Sequence, residues 1–324
     1  MEKKSSDNFF NALFTSSNNL NMNAIQTQQH FIARRYAADH GDTNSQALLA
    51  FFYALGRKPV KKNTTEAVKW ARRAAENGSE IAQALLGVYY MNGEGVPKNP
   101  RKSIEWMTKA AEQGNTVAEY YLGCFYEDGT GVEINLPLAY KWYLKAAQKN
   151  HLDAIQRIAH FHFLGLGNIP ENRPESVRWY RRAAEGGHKI AQYFMGVFHR
   201  NEKDGEYDLD KSVEWLTMSA EQGYTKAQFE LGSTYLFELR DCEKAMYWFR
   251  KAAKNDDAMS LYYLSRLYVN DEFFPHDYDT ALYWCERLLP HRGELVKNGI
   301  ADEPLLEIME TMRQDGFSAS RARL

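Results

Sequence analysis

Residues 118–147 read AEYYLGCFYEDGTGVEINLPLAYKWYLKAA, and the whole fold follows from how this stretch is built. Ala118, Leu122 and Tyr126 recur every four positions, which places them on one face of a helix. Gly129-Thr-Gly131-Val132 then turns the chain, because glycine tolerates the positive φ that tight turns demand. Asn135 opens a second helix as its N-cap, its short side-chain oxygen taking a free backbone N–H of the first turn. Ala139 and Ala146 lie seven apart on that second helix, so a neighbouring helix approaches closely there. The unit is helix, glycine turn, helix.

Outward from this stretch the unit repeats. The seven tryptophans are Trp70, Trp106, Trp142, Trp179, Trp215, Trp248 and Trp284, spaced 36, 36, 37, 36, 33 and 36 residues apart. Seven residues before each stands Asn63, Asn99, Asn135, Asn172, Asp208, Asp241 or Asp277. Small residues occur at −3, and small pairs such as Ala74-Ala75 and Ala110-Ala111 follow at +4 and +5. Eight residues on, Gly78, Gly114, Asn150, Gly187 and Gly223 supply helix stops in the left-handed C′ conformation. In the preceding first helix, Ala82-Gln-Ala-Leu-Leu-Gly87 matches Ala118-Glu-Tyr-Tyr-Leu-Gly123 position for position. Gly196 and Gly232 hold the same place, and these four glycines are read as structural, as are the seven tryptophans.

A single helix pair cannot bury its apolar face alone, whereas stacked pairs share one core. The expected architecture is therefore an all-α solenoid of about seven helix-turn-helix units over residues 43–290. Residues 24–42 are expected to form an N-terminal capping helix, with 1–23 a polar leading segment. Residues 291–324 are expected to hold a C-terminal capping helix, from Pro304 to Arg313, and a tail. Each tryptophan is read as core, sandwiched between alanine faces of adjacent helices.

These residues resemble the Sel1-like repeat family. Its pattern of Ala-x4-Leu-Gly-x2-Tyr, Gly-x-Gly-Val, Asp or Asn, Trp, and Ala-Ala before Gly matches best over Ala82–Gly114 and Ala118–Ala147. The related tetratricopeptide repeat has a 34-residue period and its Trp in the first helix. The resemblance implies a right-handed α-solenoid used for protein contacts, such as a bacterial adaptor or immunity-type protein. It also carries a rival reading, a hydrolase acting on β-lactam or peptidoglycan-like substrates, drawn from cysteine-rich members with a cysteine pair in each repeat.

Composition narrows the partners. The net charge is −2, without the basic excess that nucleic acid or an anionic membrane calls for. Three cysteines, Cys124, Cys242 and Cys285, do not frame a disulfide scaffold and point to a reducing compartment. The first residues lack the continuous apolar run and cleavage site of a secretory signal, and no stretch approaches the roughly 20 apolar residues of a membrane span. A cytoplasmic protein without cofactor is expected. A monomer is favoured over self-assembly through the repeat ends.

Candidate binding residues lie where the units differ. Counted from the first-helix glycine, positions −3, +1 and +4 vary from unit to unit and share one stripe. They include Tyr120, Gln156, Tyr193, Phe229 and Tyr262 at −3, His160 and Arg266 at +1, and Glu127, Phe163 and Arg200 at +4. By analogy with tetratricopeptide solenoids this stripe lines a concave groove. Its mix of Tyr and Arg suits a peptide or protein segment. The alternative is that some rings pack against the next unit. His160 and His162 are two apart on a helix and point away from each other, which argues against a shared metal ion. The glycine turns lack the Gly-Lys-Ser/Thr of a phosphate loop. Asp256 and Asp257 are read as solvated turn residues, and no nucleophile–base frame is recognisable. The reading is a non-catalytic interaction scaffold.

Overall fold

Strand signals are missing from the sequence pattern, and the computed structural model accordingly contains only helices and turns among the described residues, 28–201, 207–269, 277–300, 309–310 and 312–318. The helices are α1 Gln28–Asp39, α2 Thr43–Leu55, α3 Thr64–Glu76, α4 Glu80–Asn92, α5 Pro100–Glu112, α6 Thr116–Asp128, α7 Leu136–Gln148, α8 Leu152–Leu164, α9 Arg173–Glu185, α10 Lys189–His199, α11 Leu209–Glu221, α12 Thr225–Phe237, α13 Cys242–Ala253, α14 Ala258–Leu267, α15 Tyr278–Leu288 and α16 Arg292–Lys297. From α2 to α15 they form seven consecutive pairs, an all-α solenoid. The chain divides into two units, residues 1–179 and 180–324, each with its own core.

The second helix of every pair starts as its cap residue dictates. Asn63, Asn99, Asn135, Asn172, Asp208, Asp241 and Asp277 each accept a hydrogen bond at 3.0–3.1 Å from the backbone N–H three residues on. Such a cap is worth about 1 kcal/mol. Gly131, with φ +76°, lets the turn lie against the next-lower pair: a Cβ there would stand 2.6 Å from Pro100 Cβ. At the far end of the second helix Asn150 takes the left-handed conformation with φ 63°.

The interior of the second helix differs from expectation. Trp70, Trp248 and Trp284 are buried, but Trp106, Trp142, Trp179 and Trp215 are only half-buried. The fully buried side chain is the one immediately after: Ala71, Met107, Tyr143, Tyr180, Leu216, Phe249 and Cys285 are all at most 1 % exposed. The reason is helical geometry. Position +1 falls between the small residues at −3 and +4 on one stripe, while the indole lies about 100° away on the helix flank. There a cation caps its face, with Lys109 Nζ 4.3 Å from the Trp106 centroid and Lys145 Nζ 4.0 Å from that of Trp142. The +1 side chain is the knob, and the first-helix glycine is its hole. A Cβ at Gly87 would lie 2.8 Å from Met107, at Gly123 2.5 Å from Tyr143, at Gly196 2.6 Å from Leu216 and at Gly232 2.7 Å from Phe249.

At the N-terminal side α1 packs Phe31 against Phe52, with ring centroids 6.3 Å apart. Residues 1–23 and the expected start of that helix at Ala24 lie outside the described residues. So does most of the expected helix Pro304–Arg313, of which Met309 and Met312 are buried. The short α16, with Leu295 buried, has no counterpart in the sequence reading.

Candidate functional site

The variable stripe on the first helices is built into the joints between pairs. In the first unit, Tyr120 stacks on His151, the cap of the next first helix, at 4.6 Å and 19°. Glu127 accepts a 2.6 Å hydrogen bond from the Tyr143 hydroxyl and pairs with Arg157 of α8 at 3.6 Å. Cys124 lies close to the Tyr120 and Tyr143 hydroxyls, and burial pushes its thiol up from the ordinary value. Burial likewise raises the Tyr120 and Tyr143 hydroxyls. Gln156 is buried. His160 is half-buried, its imidazolium disfavoured by burial and by Arg157. His162 faces elsewhere and meets the Tyr140 hydroxyl at 3.1 Å. The Arg173 guanidinium sits over the Phe163 ring at 4.5 Å.

The second unit repeats the arrangement with other chemistry. Tyr193 meets Tyr224, the residue preceding α12, edge-on at 5.4 Å. Arg200 pairs with Glu230 at 3.1 Å and with Glu238 at 2.5 Å. Phe229 packs against Phe249 at 6.0 Å and Tyr263 at 6.1 Å. Tyr262 meets Tyr263 edge-on at 5.5 Å.

Position −3 therefore reaches the start of the next first helix, and position +4 reaches position −2 of that helix. The sequence reading overlooked position −2. Its signal is a charge reversal at a fixed offset: Glu127 pairs with Arg157 and Arg200 with Glu230, each thirty residues apart. A second row has the same offset. Gln113 donates to Gln83 at 2.7 Å, Gln222 to Gln192 at 2.7 Å, and Lys149 to Glu119 at 2.7 Å. The glutamines also donate to the preceding second helix, Gln83 to Ala75 O, Gln192 to Ala184 O and Gln228 to Ala220 O. The turn acids are partnered as well: Asp256 pairs with Arg287, and Asp257 accepts from the Ser260 backbone N–H at 2.9 Å.

The last joint is open instead. Between the ends of α12 and α14 lies a cleft of about 500 Å³ lined by Leu236, Phe237, Arg240, Tyr263, Arg266, Leu267 and Val269. Phe237 is 50 % exposed. Arg266 and Arg240 are exposed too, and neither side chain has an ion pair or hydrogen bond among the described residues.

Among the described residues no group of three or more His, Cys, Asp or Glu side chains is arranged to hold a metal ion. No described helix is long and apolar enough to cross a membrane.

A search of curated proteins finds no match to the chain. Among solved structures it is similar to a Sel1 repeat protein from Oxalobacter formigenes, at 31% identity and TM-score 0.65, covering 75% of this chain and 96% of that one. It is also similar to a protective antigen present in uropathogenic Escherichia coli strains, which displays an SLR fold. That match has 26% identity and TM-score 0.75, covering 95% of this chain and 72% of that one. The Sel1 repeat model matches seven times, at residues 43–79, 81–115, 116–151, 152–188, 189–224, 225–257 and 258–288, so the chain belongs to the Sel1 repeat family.

Proposed function

We propose that the chain is a non-catalytic scaffold that holds a peptide or protein segment along the variable stripe of its first helices. Sel1 repeat proteins generally mediate protein–protein interaction, and that family membership carries the reading. The variation of the stripe from pair to pair supports it, because a surface that recognises one partner needs different side chains at equivalent places. A covalent role for the buried sulfur is disfavoured by its surroundings. A nucleophilic cysteine needs a lowered thiol value, and burial drives that of Cys124 the other way.

The test is photo-crosslinking with a benzoylphenylalanine at position 163 or 266 on the stripe, or at exposed Lys141 on α7, in the full chain. Crosslinks to a protein partner are expected from the stripe positions. Crosslinks that form as readily from position 141 as from the stripe overturn the assignment.

A further inference from the structure

Of the joints the stripe crosses, the third and the fifth close on themselves. At the third joint Glu127 at +4 meets Arg157 at −2, and at the fifth Arg200 meets Glu230. At the sixth, between α12 and α14, the same two places hold Leu236 and Tyr263. An apolar pair spans the joint there, and the cationic groups that border it, Arg240 and Arg266, have no carboxylate partner among the described residues.

We infer that this cleft, resting on the interaction reading above, is the docking site for an extended acidic segment of a partner protein in which carboxylates alternate with large apolar side chains. Charge complementarity identifies the occupant. A guanidinium offers a planar fork of donors matched to a carboxylate, and here two of them stand without a carboxylate among the described residues. The floor between them, Leu236, Phe237, Tyr263 and Val269, is apolar and partly open, which suits a leucine or phenylalanine side chain. Arg and Tyr are also the residue types that dominate binding energy at protein interfaces. Arg200 two pairs earlier shows what the chain does when it satisfies an arginine itself: it supplies two glutamates. Among the described residues the sixth joint supplies neither, and we assign the acid to the partner.

Fluorescence polarisation on the full chain tests this with a labelled heptapeptide alternating glutamate with leucine and phenylalanine, and its twin with glutamine for every glutamate. The glutamate peptide is expected to bind at least tenfold more tightly, with a gap that narrows as salt is raised. In the Arg240→Glu/Arg266→Glu double variant the gap closes or inverts. Both side chains are exposed, and an unchanged helical circular dichroism signal shows that the variant folds. Phe237→Ser weakens both peptides equally.

Equal affinity for the two peptides, or an acid preference that survives the double reversal, overturns the inference. So does displacement of the peptide by a single-stranded oligonucleotide at equal concentration, or a concentration-dependent dimer that the double reversal dissolves, which makes a second copy the occupant. A chain that crosslinks a partner from position 163 yet ignores the acidic peptide loses this inference and keeps the interaction reading.

Discussion

At the end of the third helix pair, just before the chain enters the fourth, the buried Glu119 carboxylate of α6 takes Lys149, which closes α7. At the end of the fifth pair, just before the sixth, Gln192 of α10 takes Gln222, which closes α11, at the same two positions. The neighbouring contact differs in the same way, Glu127 to Arg157 in one joint and Arg200 to Glu230, with reversed sign, in the other. Backbone geometry fixes which positions meet. The side chains need only complement each other. The two joints are not equal in cost, however. An amide pair buries no charge, whereas Glu119 is 3 % exposed and its Oε2 has no hydrogen-bond partner among the described residues. Desolvating a carboxylate is expensive, so the ionic joint depends on its lysine more than the amide joint depends on either glutamine.

The largest effect belongs to the knobs. Tyr143→Ala removes a fully buried ring and the donor to Glu127, and is expected to cost about 3–5 kcal/mol, the usual range for an aromatic core truncation. Leu216→Ala, its counterpart in the amide joint, removes no donor and is expected to cost about 2–4 kcal/mol. Trp142→Ala is expected to cost less than half as much as Tyr143→Ala, since the indole is half-exposed. Urea unfolding of the three variants orders them, and a Trp142→Ala loss matching that of Tyr143→Ala would return the indole to the centre of the core.

Next comes the charged rung. Lys149→Ala is expected to cost about 1–3 kcal/mol, below the full value for breaking a buried pair because the lysine is partly solvated. Converting the rung to the amide form, Glu119→Gln with Lys149→Gln, is expected to recover most of that loss. If the double variant is no more stable than Lys149→Ala, the two joints are not interchangeable. The nearby Glu80 carboxyl, raised by burial and by Glu119 while Lys149 lowers it, is then expected to rise further in Lys149→Ala.

The comparison also shows what was legible beforehand. The helix pairs, their caps and their stops could be read directly, because each depends on a local residue type: Asn63 or Asp208 at a fixed offset before Trp, Gly78 or Asn150 after it. The small residues at −3 and +4 were visible too, and the stripe they define passes through position +1. Tryptophan drew attention from it by its periodicity, although Met107, Tyr143 and Leu216 are what that stripe buries. The candidate binding residues were harder. Tyr120, Glu127 and Arg200 carry hot-spot chemistry, but their partners His151, Arg157 and Glu230 lie in the following repeat, thirty or thirty-one residues away. Comparing units at equal positions hides a contact between unequal ones. Arg266 differs, because no carboxylate pairs with it among the described residues.

A smaller effect separates the glycine holes. Gly123→Ala would set a Cβ 2.5 Å from the Tyr143 ring, which cannot bend aside, whereas at Gly87 the contact is with the flexible Met107 chain. Alanine favours the helix by about 1 kcal/mol, which offsets part of the clash. Gly123→Ala is therefore expected to lose about 1–2 kcal/mol net, and Gly87→Ala to stay within about 1 kcal/mol of wild type. Thermal melts of the two variants measure the difference, and equal midpoints would mean the tyrosine knob yields as readily as the methionine.

The smallest difference between the joints is a proton. The ionic joint places His160 on α8 beside Arg157, and burial together with that guanidinium holds its imidazole below the ordinary 6.5, against the weaker pull of Glu127. The equivalent position in the sixth pair is Ser233, which does not titrate in this range. The unfolded chain protonates this histidine near 6.5 while the folded chain resists. Between 6.5 and the lower folded value the unfolded state therefore binds more protons, and stability falls as the pH falls through that window. His162 and His199, also lowered by burial, act in the same sense. Glu80 acts in the opposite one, because a raised carboxyl favours the folded state as the pH drops toward 4.5. The measurement is accordingly a difference: melting midpoints from pH 7.5 to 5.5 for wild type and His160→Gln. The variant is expected to lose less on acidification, since it removes one of the three histidine contributions and leaves Glu80 in place. Parallel curves would mean that His160 takes up its proton as freely in the folded joint as in the open chain.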